Sequence, residues 1–327
     1  MAAGDIVIRA FEVKLPNGQN WTNELYANGR HQCQLNILIK KEVEDANGNY
    51  IETPLTTTER NSATITAYGF PESVLPRGWS CDKTKNQFDV GLRPLGTEDS
   101  AEDSAEEPRA EFDPVDSSFE LIKLYMRAGT SASIGTERLM AKIYVGGKTY
   151  TTNGSVGGVP FQSYVDIQLT RPYRLEINEL STYVDLDAYS HNHNKVDIDI
   201  YYMTPTVKGI RFVENRGLDS PVVVEGEGSH FHTSYVQHTN DGIRFKGGVV
   251  MVESGRLTVD KIQKDNGSGE VLYNKMSTIM RAARYRGWIN TPDDNRQSGW
   301  RLWDNYGCEH VFYIGFTDKG NVLVLRT

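Results

Sequence analysis

The chain has 327 residues, of which 38% are hydrophobic and 24% charged, with a formal net charge of −8. That length points to two or three domains, and the composition suits globular domains with buried cores. No run of about 18 apolar residues occurs, which excludes a membrane-spanning helix.

The acidity is local. Residues 97–113, "TEDSAEDSAEEPRAEFD", hold eight acids and one Arg, so the rest of the chain sits near −1. A nearly neutral body has no basic stripe for a phosphate backbone, so no nucleic-acid partner is expected. The opening "MAAGDIVIRAFEV" lacks a basic segment followed by an apolar one. Synthesis in the cytoplasm without a signal peptide is therefore expected, with release in a particle or by a non-classical route. Cys33, Cys81 and Cys308 are too few and too widely spaced for a disulfide framework.

From the start, "DIVIRAFEVKL" alternates through Val13, and "QCQLNILIKKEV" places Cys33, Leu35 and Ile37 on one strand face. "DANGNY" supplies an Asn47-Gly48 turn. "SATITAYGF" and "NQFDVGLRPL" continue the pattern, and Trp79 is a candidate core aromatic. This spacing predicts an antiparallel β-sandwich, immunoglobulin-like or jelly-roll-like, over residues 1–175. An acidic, apolar-poor stretch at 97–117 reads as an inserted surface loop. Next, "ERLMAKIYVGGKTYTTNG" carries a two-residue hairpin signal at Gly146-Gly147.

Residues 176–327 read as a second β-rich domain with one short helix. "VLYNKMSTIMRAARYRGW" places Leu272, Met276, Ile279, Met280 and Ala283 at helical spacing. This predicts a helix over 271–288 whose Arg281, Arg284 and Arg286 form a solvated or partner-binding face. "CEHVFYIGF" and "NVLVLRT" around "TDKG" predict a C-terminal hairpin.

Four of the seven histidines lie in two His-x-His units, "SHNHN" at 190–194 and "SHFH" at 229–232. On a strand, residues two apart share a face. His191 and His193, or His230 and His232, would then present paired imidazoles to a transition metal. The competing reading comes from the flanks. "YVDLDAY" and "KVDIDIYY" are near copies, which predicts a hairpin with "SHNHN" as its polar tip. In that hairpin Val196, Ile198, Ile200 and Tyr202 face the core, while Asp197 and Asp199 face water.

Standard catalytic signatures are missing: no Gly-x-Ser-x-Gly elbow, phosphate loop, Gly-x-Gly-x-x-Gly or His-Glu-x-x-His. Cys308 and His310, two residues apart, fit a structural thiol better than a nucleophile pair. Three function classes follow. The first is a non-enzymatic structural or interaction protein, which self-associates or binds another protein, a glycan or a membrane surface, as in a phage-like or secreted particle. The second is a β-rich pore-forming or insecticidal toxin, in which residues 129–168 refold as a membrane hairpin. The third is a metal- or carboxylate-dependent glycan hydrolase using the histidines or Asp185, Asp187, Asp197 and Asp199.

Overall fold

A computed structural model describes residues 4–91, 119–156, 158–191, 195–252, 256–264, 269–272, 275–276 and 279–327. The acidic segment at 97–117 and His193 lie outside the described residues. The chain is mostly β and divides into two compact units, one ending at Pro172 and the other beginning at Tyr173.

In the first unit the strands are β1 (Ile6–Lys14), β2 (Trp21–Tyr26), β3 (Cys33–Glu44), β4 (Tyr50–Glu52), β5 (Thr64–Ala67) and β6 (Trp79–Asp82). They continue as β7 (Glu120–Ala128), β8 (Gly135–Val145), β9 (Lys148–Thr151), β10 (Ser155–Val156), β11 (Val159–Pro160) and β12 (Val165–Thr170), with a short helix α1 (Thr57–Ser62). One sheet runs β1-β3-β7-β6, with β4 added to β3. The other runs β2-β12-β8-β5, with β9 added to β8. β2 and β12 pair in parallel, whereas the other pairings of both sheets are antiparallel.

The two sheets form a sandwich because the alternating residues of each point at one shared core. Leu35 and Ile37 of β3 meet Leu124 and Met126 of β7 from one side, and Leu139, Ala141, Ile143, Val165 and Ile167 from the other. Trp79 belongs to this core, as its sequence position suggested. Segment 129–168 therefore supplies β8 and β12, whose inward residues are fully buried. The Gly146-Gly147 turn joins β8 to β9 with both glycines at positive φ, the geometry of a tight primed hairpin.

The second unit contains β13 (Leu180–His191), β14 (Val196–Pro205), β15 (Phe212–Leu218), β16 (Phe231–His238), β17 (Arg244–Val250) and β18 (Arg256–Thr258). After a one-turn helix, α2 (Val259–Ile262), come β19 (Glu270–Leu272), β20 (Met280–Arg286), β21 (Asp294–Asn295), β22 (Gly299–Asp304), β23 (Glu309–Thr317) and β24 (Val322–Arg326). A six-stranded sheet, β13-β14-β20-β17-β16-β21, packs on a four-stranded sheet, β15-β22-β23-β24. Between them lie Tyr201, Met203, Tyr235, Val249 and Ala282 facing Trp300, Leu302, Phe312 and Ile314. A second core covers the other face of the six-stranded sheet. There Ile198, Ile200, Tyr202, Ala283 and Tyr285 meet Val222, Leu257, Val259, Ile262 and Val271.

The predicted helix at 271–288 is not formed. Residues 280–286 are β20, a central strand paired on both sides with β14 and β17. Its odd and even residues enter different cores, so both faces are apolar and period-two alternation is masked. What remained in the sequence was an apolar spacing that a helix also satisfies. The short helix of this unit is α2 instead.

The predicted hairpin around "SHNHN" is present: Tyr183 pairs with Tyr202 and His191 with Val196. A bulge between Asp185 and Tyr189 places Asp187 at positive φ. The C-terminal hairpin is likewise formed by β23 and β24 around Asp318, Lys319 and Gly320, all at positive φ.

Gly247 and Gly248 in β17 have a packing reason. A Cβ on Gly247 would overlap the Tyr235 ring, and one on Gly248 the His232 carbonyl oxygen. Gly248→Ala is expected to cost about 1–3 kcal/mol, the range for overpacking a core. An unchanged urea midpoint would show that β16 and β17 do not pack this closely.

Candidate functional site

Most chemically active side chains of the second unit are consumed by the fold. Arg284, read from the sequence as a solvated or partner-binding residue, lies 4% exposed beneath the four-stranded sheet. Its register partner is Asp199, and its guanidinium bonds both Asp197 (2.6 Å) and Asp199. Arg281 is equally buried and donates to the Val252 carbonyl at 2.9 Å, and Arg286 is half-buried at the strand end. Arg281 and Arg284 are therefore not a surface face, because a strand sends alternate residues into opposite cores.

The two aspartates were expected to face water, yet both are buried. Burial raises the Asp199 carboxyl above its ordinary pKa, against the pull of Arg284 and the Asp187 N–H at 3.0 Å. One cation between two buried carboxylates is a structural pairing, and breaking such a pairing is costly. Arg284→Leu should lose about 3–5 kcal/mol in urea unfolding. Replacing Arg284, Asp197 and Asp199 together by apolar residues of similar volume should lose far less. Equal losses would contradict the pairing.

Lys246 is fully buried in β17. Its Nζ donates to the Ile262 carbonyl (2.6 Å), pairs with Glu227 (3.4 Å) and sits 4.9 Å from the Phe231 ring centre. Burial lowers its pKa to about 8, against the pull of Glu227. An unfolded lysine titrates near 10.4. Between pH 8 and 10 the unfolded chain thus binds more protons at this site, so stability contributed by Lys246 rises with pH. The wild type should gain up to about 1.4 kcal/mol per pH unit in that window relative to Lys246→Met/Glu227→Gln. A constant difference between the two proteins would contradict the burial of a titrating amine.

His310 is also structural. Its Nδ1 accepts the Leu175 N–H (3.0 Å), so Nε2 carries the proton and donates to Asp304 (3.1 Å). Asp304 also accepts the Tyr306 and Cys308 N–H groups and so pins the β22–β23 turn. Cys308 is fully buried, and Cys33, also buried, has its thiol pKa pushed up to about 12 by desolvation.

Three of the four paired histidines, His191, His230 and His232, lie among the described residues. His191 is exposed at the end of β13. His230 is exposed in the turn before β16 and so does not share a strand face with His232. His232 is half-buried with its ring against Gly217, and its Nδ1 has no hydrogen-bond partner among the described residues. No group of three His, Cys, Asp or Glu residues that could hold a metal occurs among the described residues.

The first unit presents an open groove of about 480 Å³ along the free edge of β1. One wall is Arg9–Lys14, and the other comprises Gly18–Asn20 and Pro160–Tyr164. Ser163 clamps this edge: its hydroxyl accepts the Val13 N–H (2.8 Å) and donates to the Val13 carbonyl (2.9 Å). The Leu15 N–H bonds the Gln19 carbonyl, so outward-facing main-chain groups at Val13 and Leu15 are already satisfied. By strand alternation Phe11 is the next residue whose N–H and C=O turn toward the groove.

At the rim, Tyr164 begins a row on the outer face of the β2-β12-β8-β5 sheet. Asp166 pairs in register with Trp21 on one side and Arg138 on the other. Arg138 holds both Asp166 oxygens (2.8 and 2.9 Å) and lies 4.0 Å over the Tyr164 ring. Trp21 is 51% exposed. Sequence reasoning did not single out these residues. The available signal was the amide-rich turn "PNGQN" running straight into a Trp.

No protein-family model matches the chain, and no curated protein matches it. Among solved structures, a similarity spans the C-terminal domain of the Streptococcus pyogenes antigen I/II-family protein AspA. It covers 94% of this chain and 99% of that one, at 11% identity and a TM-score of 0.21. That overlap is too low to inform fold or function.

Proposed function

We propose that the chain is a non-enzymatic β-rich binding module whose ligand surface is the β1-edge groove of the first unit. The observation that carries this reading is the contrast between the two sets of polar groups. Arg284, Lys246, His310 and Asp304 are buried and spent on pairing within the fold. The groove, by contrast, is lined by the exposed side-chain amides of Gln19, Asn20 and Gln162. Its volume of about 480 Å³ falls in the range of small-ligand sites.

The toxin reading has less support. Residues 129–168 would have to leave a core in which Leu139, Ile143, Val165 and Ile167 are fully buried, at roughly 1.5–3 kcal/mol for each large side chain.

The test is retention of the full chain on immobilised glycan and peptide arrays, beside a Gln162→Trp variant that fills the groove from an exposed position. Retention of the wild type that is lost in the filled variant is expected. No retention, or retention unchanged by filling, would place the binding surface elsewhere.

A further inference from the structure

We propose that the groove and the adjoining Trp21 face bind a neutral carbohydrate chain. This rests on the reading of the groove as the ligand surface and names the class of ligand.

Three observations converge. First, Trp21 stands half-exposed on the outer face of its sheet, while its neighbour Thr22 points into the sandwich and is buried. A half-exposed indole is a flat apolar platform, and the C–H face of a pyranose ring stacks on such a platform. Second, the side-chain amides of Gln19, Asn20 and Gln162 are exposed at the groove and make no hydrogen bond among the described residues. An amide both donates and accepts, which matches a sugar hydroxyl that does the same. Third, the neighbouring charges are neutralised in place. Arg138 is locked to Asp166, Arg9 to Glu42 and Lys14 to Glu12. The groove therefore offers no unpaired charge to draw an anionic ligand.

The same geometry disfavours an extended peptide. Strand addition needs a run of free main-chain groups along an edge. Here β1 carries a bulge at Arg9 and is clamped at Val13 and Leu15, which leaves Phe11 alone between them. A polyproline helix needs open aromatic slots. In this groove the Tyr164 ring is covered by Arg138, and Phe161 is buried.

The experiment is isothermal titration of the full chain with neutral hexasaccharides: maltohexaose, cellohexaose, mannohexaose, xylohexaose and chitohexaose at millimolar concentration. A decaproline peptide and heparin run in parallel. At least one neutral hexasaccharide is expected to bind. Trp21→Ala should weaken it on the order of tenfold, comparable to losing one aromatic stacking partner. Trp21→Phe should recover most of the affinity, and Asn20→Ala or Gln162→Ala should each weaken it severalfold. Thermal melts of the variants keep loss of fold distinct from loss of binding. Decaproline or heparin binding that Gln162→Trp abolishes, with no hexasaccharide bound, would overturn the inference of a neutral carbohydrate and leave the groove reading standing. No binding by any probe would overturn both. Hexasaccharide binding indifferent to Trp21, Asn20 and Gln162 would also overturn the inference.

Discussion

The second unit depends on one constraint: its six-stranded sheet is covered on both faces. Because β14 and β20 lie between two cores, their central residues, Asp197–Met203 and Arg281–Tyr285, are buried, and polar side chains there need partners inside. The Asp197–Arg284–Asp199 cluster is the answer on one face. On the other, Lys246 of β17 is met by Glu227 and the end of α2, and Arg281 of β20 by the Val252 carbonyl. A charge placed without such a partner would cost several kcal/mol. These residues bear on whether the unit folds, and their chemistry is spent there.

The first unit obeys a looser constraint. The core shared by its two sheets is apolar, and buried polar residues such as Lys41 and Gln32 lie outside that core and are paired, Lys41 with Glu59 and Gln32 with Asp82. β1 is an edge strand, and an open edge invites unwanted pairing. A bulge at Arg9 and the Ser163 hydroxyl blunt it. The same devices leave a groove beside the edge whose walls are fixed by the strands and whose side chains remain free to meet a ligand.

How much of this could be read from the sequence depended on whether a strand has one wet face. β1 and β3 alternate visibly because a single core claims every second residue. The three hairpins, at Asn47-Gly48, Gly146-Gly147 and Asp318–Gly320, were legible because each turn demands positive φ. β20 was misread as helical, and Asp197 and Asp199 as solvated, for one reason. A strand buried on both faces loses its alternation, and the covering sheet is assembled from separate stretches of the chain, residues 212–218 and 299–326. The groove was illegible for a related reason. Its walls come from residues 9–20 and 160–164, and nothing in either stretch announces the other.

The account turns on the claim that the β1-edge groove of this chain binds a neutral carbohydrate. The most direct measurement is hydrogen–deuterium exchange of the full chain with and without a mixture of neutral hexasaccharides. Slowed exchange confined to peptides covering residues 9–22 and 160–168, with the second unit unchanged, is the predicted result. Slowed exchange in the second unit alone, or none anywhere, would contradict it.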